Sequence, residues 1–217
     1  DLFVITTDGT YIYGGTDEVF FKITISDWSY TTQNFLASGF ADSHGATISV
    51  DRGLFYVSSQ YSVSKLAIIS MADISSYTIV DLSAHVSHPT DDICVYDDGD
   101  VCKVYVAGEW SYLNNGAASV EIANGNAVEG IELLPSYGTW EHCGIIYSAA
   151  ISNRIQSFNV DDPSAITTIY IEAGFIPNEL LIVNNRMFAT HWGGLGSAKL
   201  CEVYCVDVVC NTTTTTS

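Results

Sequence analysis

An apolar or aromatic pair closed by two small residues returns along the chain at a nearly fixed period, and such a period decides an architecture before any single element does. It occurs as Ile12-Tyr13-Gly14-Gly15, Tyr56-Val57-Ser58-Ser59, Tyr105-Val106-Ala107-Gly108 and Tyr147-Ser148-Ala149-Ala150, with a weaker copy at Phe188-Ala189-Thr190-His191. The intervals are 44, 49, 42 and 41 residues, close to the ~40 to 50 of a four-stranded propeller blade. An apolar run and a turn precede the copies: Phe3-Val4-Ile5 with Asp8-Gly9, Ile48-Ser49-Val50 with Asp51-Arg52-Gly53, Ile93-Cys94-Val95 with Asp97-Asp98-Gly99, and Leu181-Ile182-Val183 with Asn184-Asn185. Asp-Gly and Asn-containing pairs supply the positive φ that tight hairpins demand, so each run and its copy form an antiparallel pair. The fourth unit departs, with Trp140-Glu141-His142-Cys143-Gly144 in that place.

A third run follows each copy, as in Val19 to Ile25 and Lys65 to Ile69, and a fourth closes the first four units, as in Tyr77 to Leu82 and Val128 to Leu134. Four strands repeated five times predict an all-β chain: a five-bladed β-propeller of four-stranded antiparallel blades, the last lacking a clear outer strand. The inner runs are apolar on both faces, as strands packed between two neighbouring blades must be. No window keeps apolar residues at helical spacing for three turns. The expected organisation is one domain over 1–210, with blades at about 1–40, 41–86, 87–135, 136–175 and 176–210, and a Thr-rich tail over 211–217.

The stretch from Ile155 to Ser164 (Ile-Gln-Ser-Phe-Asn-Val-Asp-Asp-Pro-Ser), followed by Ile169-Tyr170-Ile171 and Leu181-Ile182-Val183, resembles the LVIVD-type propeller repeat of secreted and surface proteins. The other units keep only an outline of its turn, in Ser26-Asp27-Trp28 and Ser70-Met71-Ala72-Asp73. The resemblance implies a secreted interaction scaffold and carries over no catalytic residue.

Seven Lys and Arg against 25 Asp and Glu give a net charge of -18, which repels phosphate backbones and anionic lipid surfaces. No apolar run approaches the ~20 residues of a membrane helix. Neither a nucleic-acid partner nor a membrane span is expected.

Six cysteines without a C-x-x-C pair read as disulfides formed in an oxidising compartment. A three-residue hairpin loop at Asp97-Asp98-Gly99 would set Cys102 opposite Cys94, within bonding reach. Cys201 and Cys205 lie about 13 Å apart along one strand and cannot bond each other. The favoured pairing of the remainder is Cys143 with Cys201 and Cys205 with Cys210; the rival is a zinc site of His191, Cys201, Cys205 and Cys210. The sequon at Asn211, continued by Thr212, Thr213, Thr214, Thr215, Thr216 and Ser217, predicts glycosylation of that tract. Together these place the chain outside the cell or on its surface.

No catalytic residue is assigned and no cofactor is required. His44, His88 and His142 suggest a metal at one mouth of a central channel, against which structural histidines are favoured. Asp91, Asp92, Asp97, Asp98 and Asp100 are dense enough for Ca²⁺ but lack the full loop pattern. Asp1, Asp91 and Glu141 are the carboxylates a glycoside hydrolase would use. Contact with a partner or glycan is expected at Trp110, Tyr112 and Asn114 in the longest loop and at Trp192, with Trp28 similar. The leading expectation is an extracellular, non-enzymatic structural or adhesive unit that self-associates through the last blade's edge or a terminal segment, as in a filament. A secreted lectin is the alternative.

Overall fold

The computed structural model describes residues 4–59, 63–108, 116–151, 153–171, 175–184, 186–191 and 199–202, and the side chains of all of these except 90, 91, 191 and 199–202. The described residues are mostly strand, with only two three-residue helical turns at Leu36–Ser38 and Ile122–Asn124, which makes the protein all-β as the repeat requires. The first unit is a meander of β1 (Val4–Thr7), β2 (Tyr11–Gly15), β3 (Val19–Thr24) and β4 (Tyr30–Asn34). The second repeats it with β5 (Ser43–Ser49), β6 (Leu54–Ser59), β7 (Lys65–Ser70) and β8 (Tyr77–Asp81), and the third with β9 (Pro89–Asp97), β10 (Cys102–Gly108), β11 (Gly116–Glu121) and β12 (Ala127–Glu132). The fourth comprises β13 (Ser136–His142), β14 (Ile145–Ala150), β15 (Arg154–Asn159) and β16 (Asp162–Tyr170). In the fifth, β17 (Pro177–Val183), β18 (Arg186–His191) and β19 (Lys199–Glu202) are described.

Every pairing within a unit is antiparallel, and the first strands of successive units lie side by side: β1 by β5, β5 by β9, β9 by β13, β13 by β17. A single parallel bridge, Gly138 to Asp92, joins the third and fourth sheets into one eight-stranded sheet. Glycine is required there because a Cβ on residue 138 would stand 2.9 Å from the Asp92 Cβ.

Among the described residues the core is divided into four clusters, each held between two consecutive units. Tyr13, Phe20, Phe55 and Val57 fill the first, and Tyr56, Leu66, Val104 and Val106 the second. Cys94, Tyr105, Ile146 and Phe158 fill the third, and Tyr147, Ile155, Leu180 and Met187 the fourth. Alternation along β6 explains the unbroken apolar runs: Phe55 and Val57 face the first unit while Tyr56 faces the third, and all three are fully buried.

Two local expectations are corrected. The fourth unit does carry the run and turn that its sequence obscured. His142 pairs with Ile145, and the intervening Cys143 and Gly144 both have positive φ, at 54° and 74°, the geometry of a type I′ hairpin. The Cys94–Cys102 disulfide does not form, and both are free, buried thiols. The loop after Asp97 has four residues instead of three, with Asp98 N–H bonded to Val101 O, so Cys102 pairs with Asp97 while Cys94 faces Tyr105. An offset of three along a strand puts the two thiols on opposite faces. Cys94 packs against the fourth unit, whereas Cys102 Sγ lies 3.6 Å from the Tyr56 hydroxyl of the second. Cys143 is disulfide-bonded. The pairings expected for it with Cys201, and for Cys205 with Cys210, lie outside the described residues.

Candidate functional site

In a meander the first-to-second and third-to-fourth turns emerge at one end of the sheet, so this end gathers turns from every unit. Its turn sequences are rich in aspartate because a carboxylate can accept the N–H groups that a turn leaves unpaired. Asp8 accepts from the Thr10 and Tyr11 N–H groups at 2.8 and 2.7 Å and from the Tyr13 hydroxyl at 3.0 Å. Asp27 accepts from the Ser29 hydroxyl and N–H, and Asp73 does the same with Ser75. Asp98 takes the Val101 and Asp100 N–H groups and the Tyr96 hydroxyl.

These bonds favour the charged form. Ser29 and Ser75 hold Asp27 and Asp73 below the usual carboxylate value, and the Val101 N–H does so first for Asp98. Burial pulls Asp8 upward, but its backbone and Tyr13 bonds outweigh it and the net shift is down. Tyr96 is pushed up to about 12 by burial and by the adjacent Asp98. A general acid needs its pKa raised toward neutrality; these carboxyls are displaced the other way.

Asp97 links two units. Ser49 Oγ donates to its Oδ2 at 2.5 Å, Arg52 Nε and Nη2 donate to its carboxylate at 3.0 and 3.1 Å, and Gly99 N–H closes its own turn at 3.1 Å. Burial opposes ionisation of Asp97, yet the Ser49 and Arg52 bonds prevail and its pKa is lowered. Lys22 Nζ reaches across to Met71 O at 2.6 Å, and Lys65 Nζ to Gly39 O at 2.7 Å. Three of the chain's seven cations thus fasten one unit to the next. The sequence held one sign of this, namely a cation placed among acidic turns, but a cross-unit partner cannot be read from spacing.

Beside Asp97 opens a cavity of about 880 Å³ lined by Ser49, Asp51, Tyr96, Glu141, Gly144 and Asp161 among others. Glu141 Oε1 accepts the Gly144 N–H at 2.8 Å and so caps its own hairpin. Asp1 and the Asp91 side chain, the other two carboxylates considered for glycoside hydrolysis, lie outside the described residues. The first strands also line a smaller cavity of about 300 Å³, with Thr6, Thr47, Asp92, Thr139 and Trp140 on its wall.

The acidic run expected to gather round Ca²⁺ is split. Asp92 sits by Gly138 on the lower part of β9, about 16 Å of strand from Asp97, while Asp98 and Asp100 belong to the turn. The histidines are split too. His44 is at the beginning of β5 and His88 immediately precedes β9, but His142 ends β13 and lies at the opposite end. The reason is that β13 begins at Ser136, earlier than the disguised fourth repeat suggests. Among the described residues no three His, Cys, Asp or Glu side chains come together as a metal site requires. Trp110, Tyr112, Asn114, Trp192, Cys205, Cys210 and the tract from Asn211 through Thr212, Thr213, Thr214, Thr215 and Thr216 to Ser217 lie outside the described residues, as do the side chains of His191 and Cys201.

Trp28 is among the described residues. It is 67% exposed and has a φ of 59°, a left-handed conformation that is an outlier for a bulky residue. Tyr30 beside it is 72% exposed.

No protein-family model matches the chain, so the LVIVD-type resemblance gains no support, and no curated protein matches it either. Solved structures do. The extracellular domain of a hybrid two-component system from B. thetaiotaomicron is similar with a TM-score of 0.65 at 13% identity, covering 92% of this chain and 27% of that one. A chain of the nidogen/laminin complex gives 0.61 at 10% identity over 84% of this chain and 68% of its own. The computationally designed Ika8 protein gives 0.61 at 10% over 87% and 55%. The fold is β-propeller-like. At such identities the likeness concerns fold alone, and this chain spans only about a quarter to two-thirds of the lengths of these structures. No helix among the described residues is long and apolar enough to cross a membrane.

Proposed function

We propose that the chain is a five-bladed β-propeller that acts outside the cell as a non-enzymatic structural or adhesive module and associates with copies of itself. The observation that carries this reading is the use made of its charged side chains. Asp8, Asp27, Asp73, Asp97 and Asp98 secure turns, and Lys22, Arg52 and Lys65 secure one unit to the next. Groups so engaged, with carboxyls held in the charged form, stiffen a body and are poorly suited to proton transfer. The bonded state of Cys143 suits an oxidising compartment. The solved structures similar to this chain include an extracellular domain. Glycosylation of the 211–217 tract belongs to the same reading.

The test is a paired measurement on the purified full chain. Its mass in solution is followed against concentration, and hydrolysis of aryl glycosides is assayed in parallel. Concentration-dependent association without turnover is expected. Turnover that disappears in Glu141→Gln would instead make the protein a glycoside hydrolase.

A further inference from the structure

Each outer strand of a propeller presents an unpaired edge, and such edges are protected by charge, proline or cover because a bare one recruits further strands. Three of the outer strands here are protected in that way. β8 ends in Asp81, β12 carries Glu129 and Glu132, and β16 opens with Asp162 and Pro163. β4, with the sequence Tyr-Thr-Thr-Gln-Asn, has neither a charge nor a proline, in a chain of net charge -18. It is also open: Tyr30, Thr31 and Thr32 are all exposed, and the strand pairs only with β3 among the described residues.

The register identifies the main-chain groups that face outward. Thr24 N–H donates to Ser29 O at 2.8 Å and Phe35 N–H to Glu18 O at 3.1 Å. By antiparallel alternation Thr31 and Gln33 therefore bond back to β3, while the N–H and C=O of Tyr30, Thr32 and Asn34 point away from it.

The exposed apolar side chains gather at the same strand. Of eight large hydrophobics exposed among the described residues, Trp28, Tyr30 and Leu36 fall within this one nine-residue stretch, at 67%, 72% and 51%. The left-handed Trp28 displays an indole where Asn or Gly would sit without strain.

We propose that β4 is a self-pairing edge, two copies of the chain joining β4 to β4 antiparallel about a two-fold axis at Thr32. This names the contact of the assembling module proposed above and rests on that reading. Only pairings that match outward-facing residues with one another form bonds, and the register centred on Thr32 uses all three. Thr32 meets Thr32 and Tyr30 meets Asn34 on each side, giving about six main-chain bonds. The same register brings the Trp28 end of one copy alongside the Leu36 end of the other, so apolar cover falls at both ends of the new ladder. The arrangement is isologous and closes on itself as a dimer. A second copy is the favoured occupant because β4 is the one described outer strand with no charged side chain, so pairing two copies there carries no carboxylate into the new ladder of a chain of net charge -18.

The experiment is sedimentation of the full chain over a wide concentration range, with three variants at one exposed position. Thr32→Pro removes an outward N–H that the chain's own ladder does not use, so the blade is retained and the added strand is blocked. Association should weaken by about tenfold or more. Thr32→Lys places two like charges across the axis and should weaken it similarly, whereas an equimolar mixture of Thr32→Lys and Thr32→Glu should recover it. The charge-swap mixture keeps the test decisive even if the proline variant fails to fold. A wild-type chain that stays monomeric throughout overturns the proposal. So does a dimer indifferent to all three variants, which would leave the structural-module reading standing with its contact elsewhere. Glycoside turnover by a dimer that does respond would overturn the module reading alone.

Discussion

Replacement of Phe20 by alanine should be among the most damaging single changes in the first two units. The ring is fully buried on β3 and lies 4.3 Å from the Phe35 centroid, 5.4 Å from Phe40 and 5.6 Å from Tyr77 of the second unit. One side chain thus ties β4's exit, the loop to β5 and a strand of the next blade together. A buried phenylalanine removes roughly 200 Å² from water, about 5 kcal/mol at ~25 cal/mol per Å². Alanine retains part of that, and the unfolded chain is already partly compact, which lowers the figure. The void left among three rings that cannot all move inward raises it again. The net loss should be about 4 kcal/mol, a large share of the ~5 to 15 kcal/mol that holds a typical domain folded. Phe20→Leu should lose about half as much. Guanidinium unfolding followed by far-UV circular dichroism gives the difference, provided the transition slope is unchanged. A loss below about 1 kcal/mol for the alanine variant at constant slope would refute the interlocked cluster, since that is the range of surface changes. Because Phe35 directly follows β4, the same variant should also weaken any association through that edge.

The Asp97 clamp should show in a pH profile. Its carboxyl is held below the ordinary 3.8, so its contribution is complete above that value and is lost only as pH falls through the lower, folded one. The stability gap between wild type and Asp97→Asn should be flat through neutrality and close in acid; a gap that closes near neutrality would tell against the clamp. Cys94 and Cys102 should resist alkylation in the folded protein, since burial pushes the Cys94 thiol up to about 12 and raises Cys102 as well, and both should react once the chain is denatured without reductant. Peptide mapping that found them joined would contradict the register of the β9–β10 hairpin. Gly15→Ala should destabilise by about 1 to 3 kcal/mol, because its Cβ would stand 2.2 Å from Ser43 Oγ and 2.7 Å from Ser43 Cβ at the seam between the first two units; thermal melting unchanged from wild type would mean the seam yields.

Much of the fold was legible because it rests on short-range chemistry. Period-two apolar runs, Asp-Gly turns and the repeating Tyr-Val-small-small motif act over a few residues, and each second strand lies where that motif placed it. The β9–β10 hairpin marks the boundary of that legibility. Its two carboxylates, Asp97 and Asp98, cap a four-residue loop in place of a three-residue one, and the longer loop sends Cys94 and Cys102 to opposite faces. The fourth unit was disguised for a related reason: Cys143 occupies a left-handed position for which asparagine or glycine is the usual signal.

The candidate site was less legible than the fold. The sequence shows Glu141 as a carboxylate, but that it caps the Cys143–Gly144 turn depends on a strand running from Ser136. In the sequence Arg52 reads only as a turn residue, although its guanidinium closes the seam between the second and third units. The significance of Trp28 and Tyr30 emerges only when the exposures of all the outer strands are compared.

By itself, then, the sequence determined the all-β character, the order of the strands, the antiparallel pairing within each unit and the acidity of the turns, since local backbone preferences and side-chain periodicity settle all of these. Only the tertiary structure decided which carboxylates are held in bonds, which thiols lie too far apart to join, which cations cross from one unit to the next and which outer edge is left bare. The two thiols are kept apart by the length of one hairpin loop, but the links between units join groups 26 or more residues apart, such as Lys65 with Gly39, Ser49 and Arg52 with Asp97 or Lys22 with Met71. Their meeting is fixed by how the sheets pack face to face, a geometry that no short stretch of chain encodes.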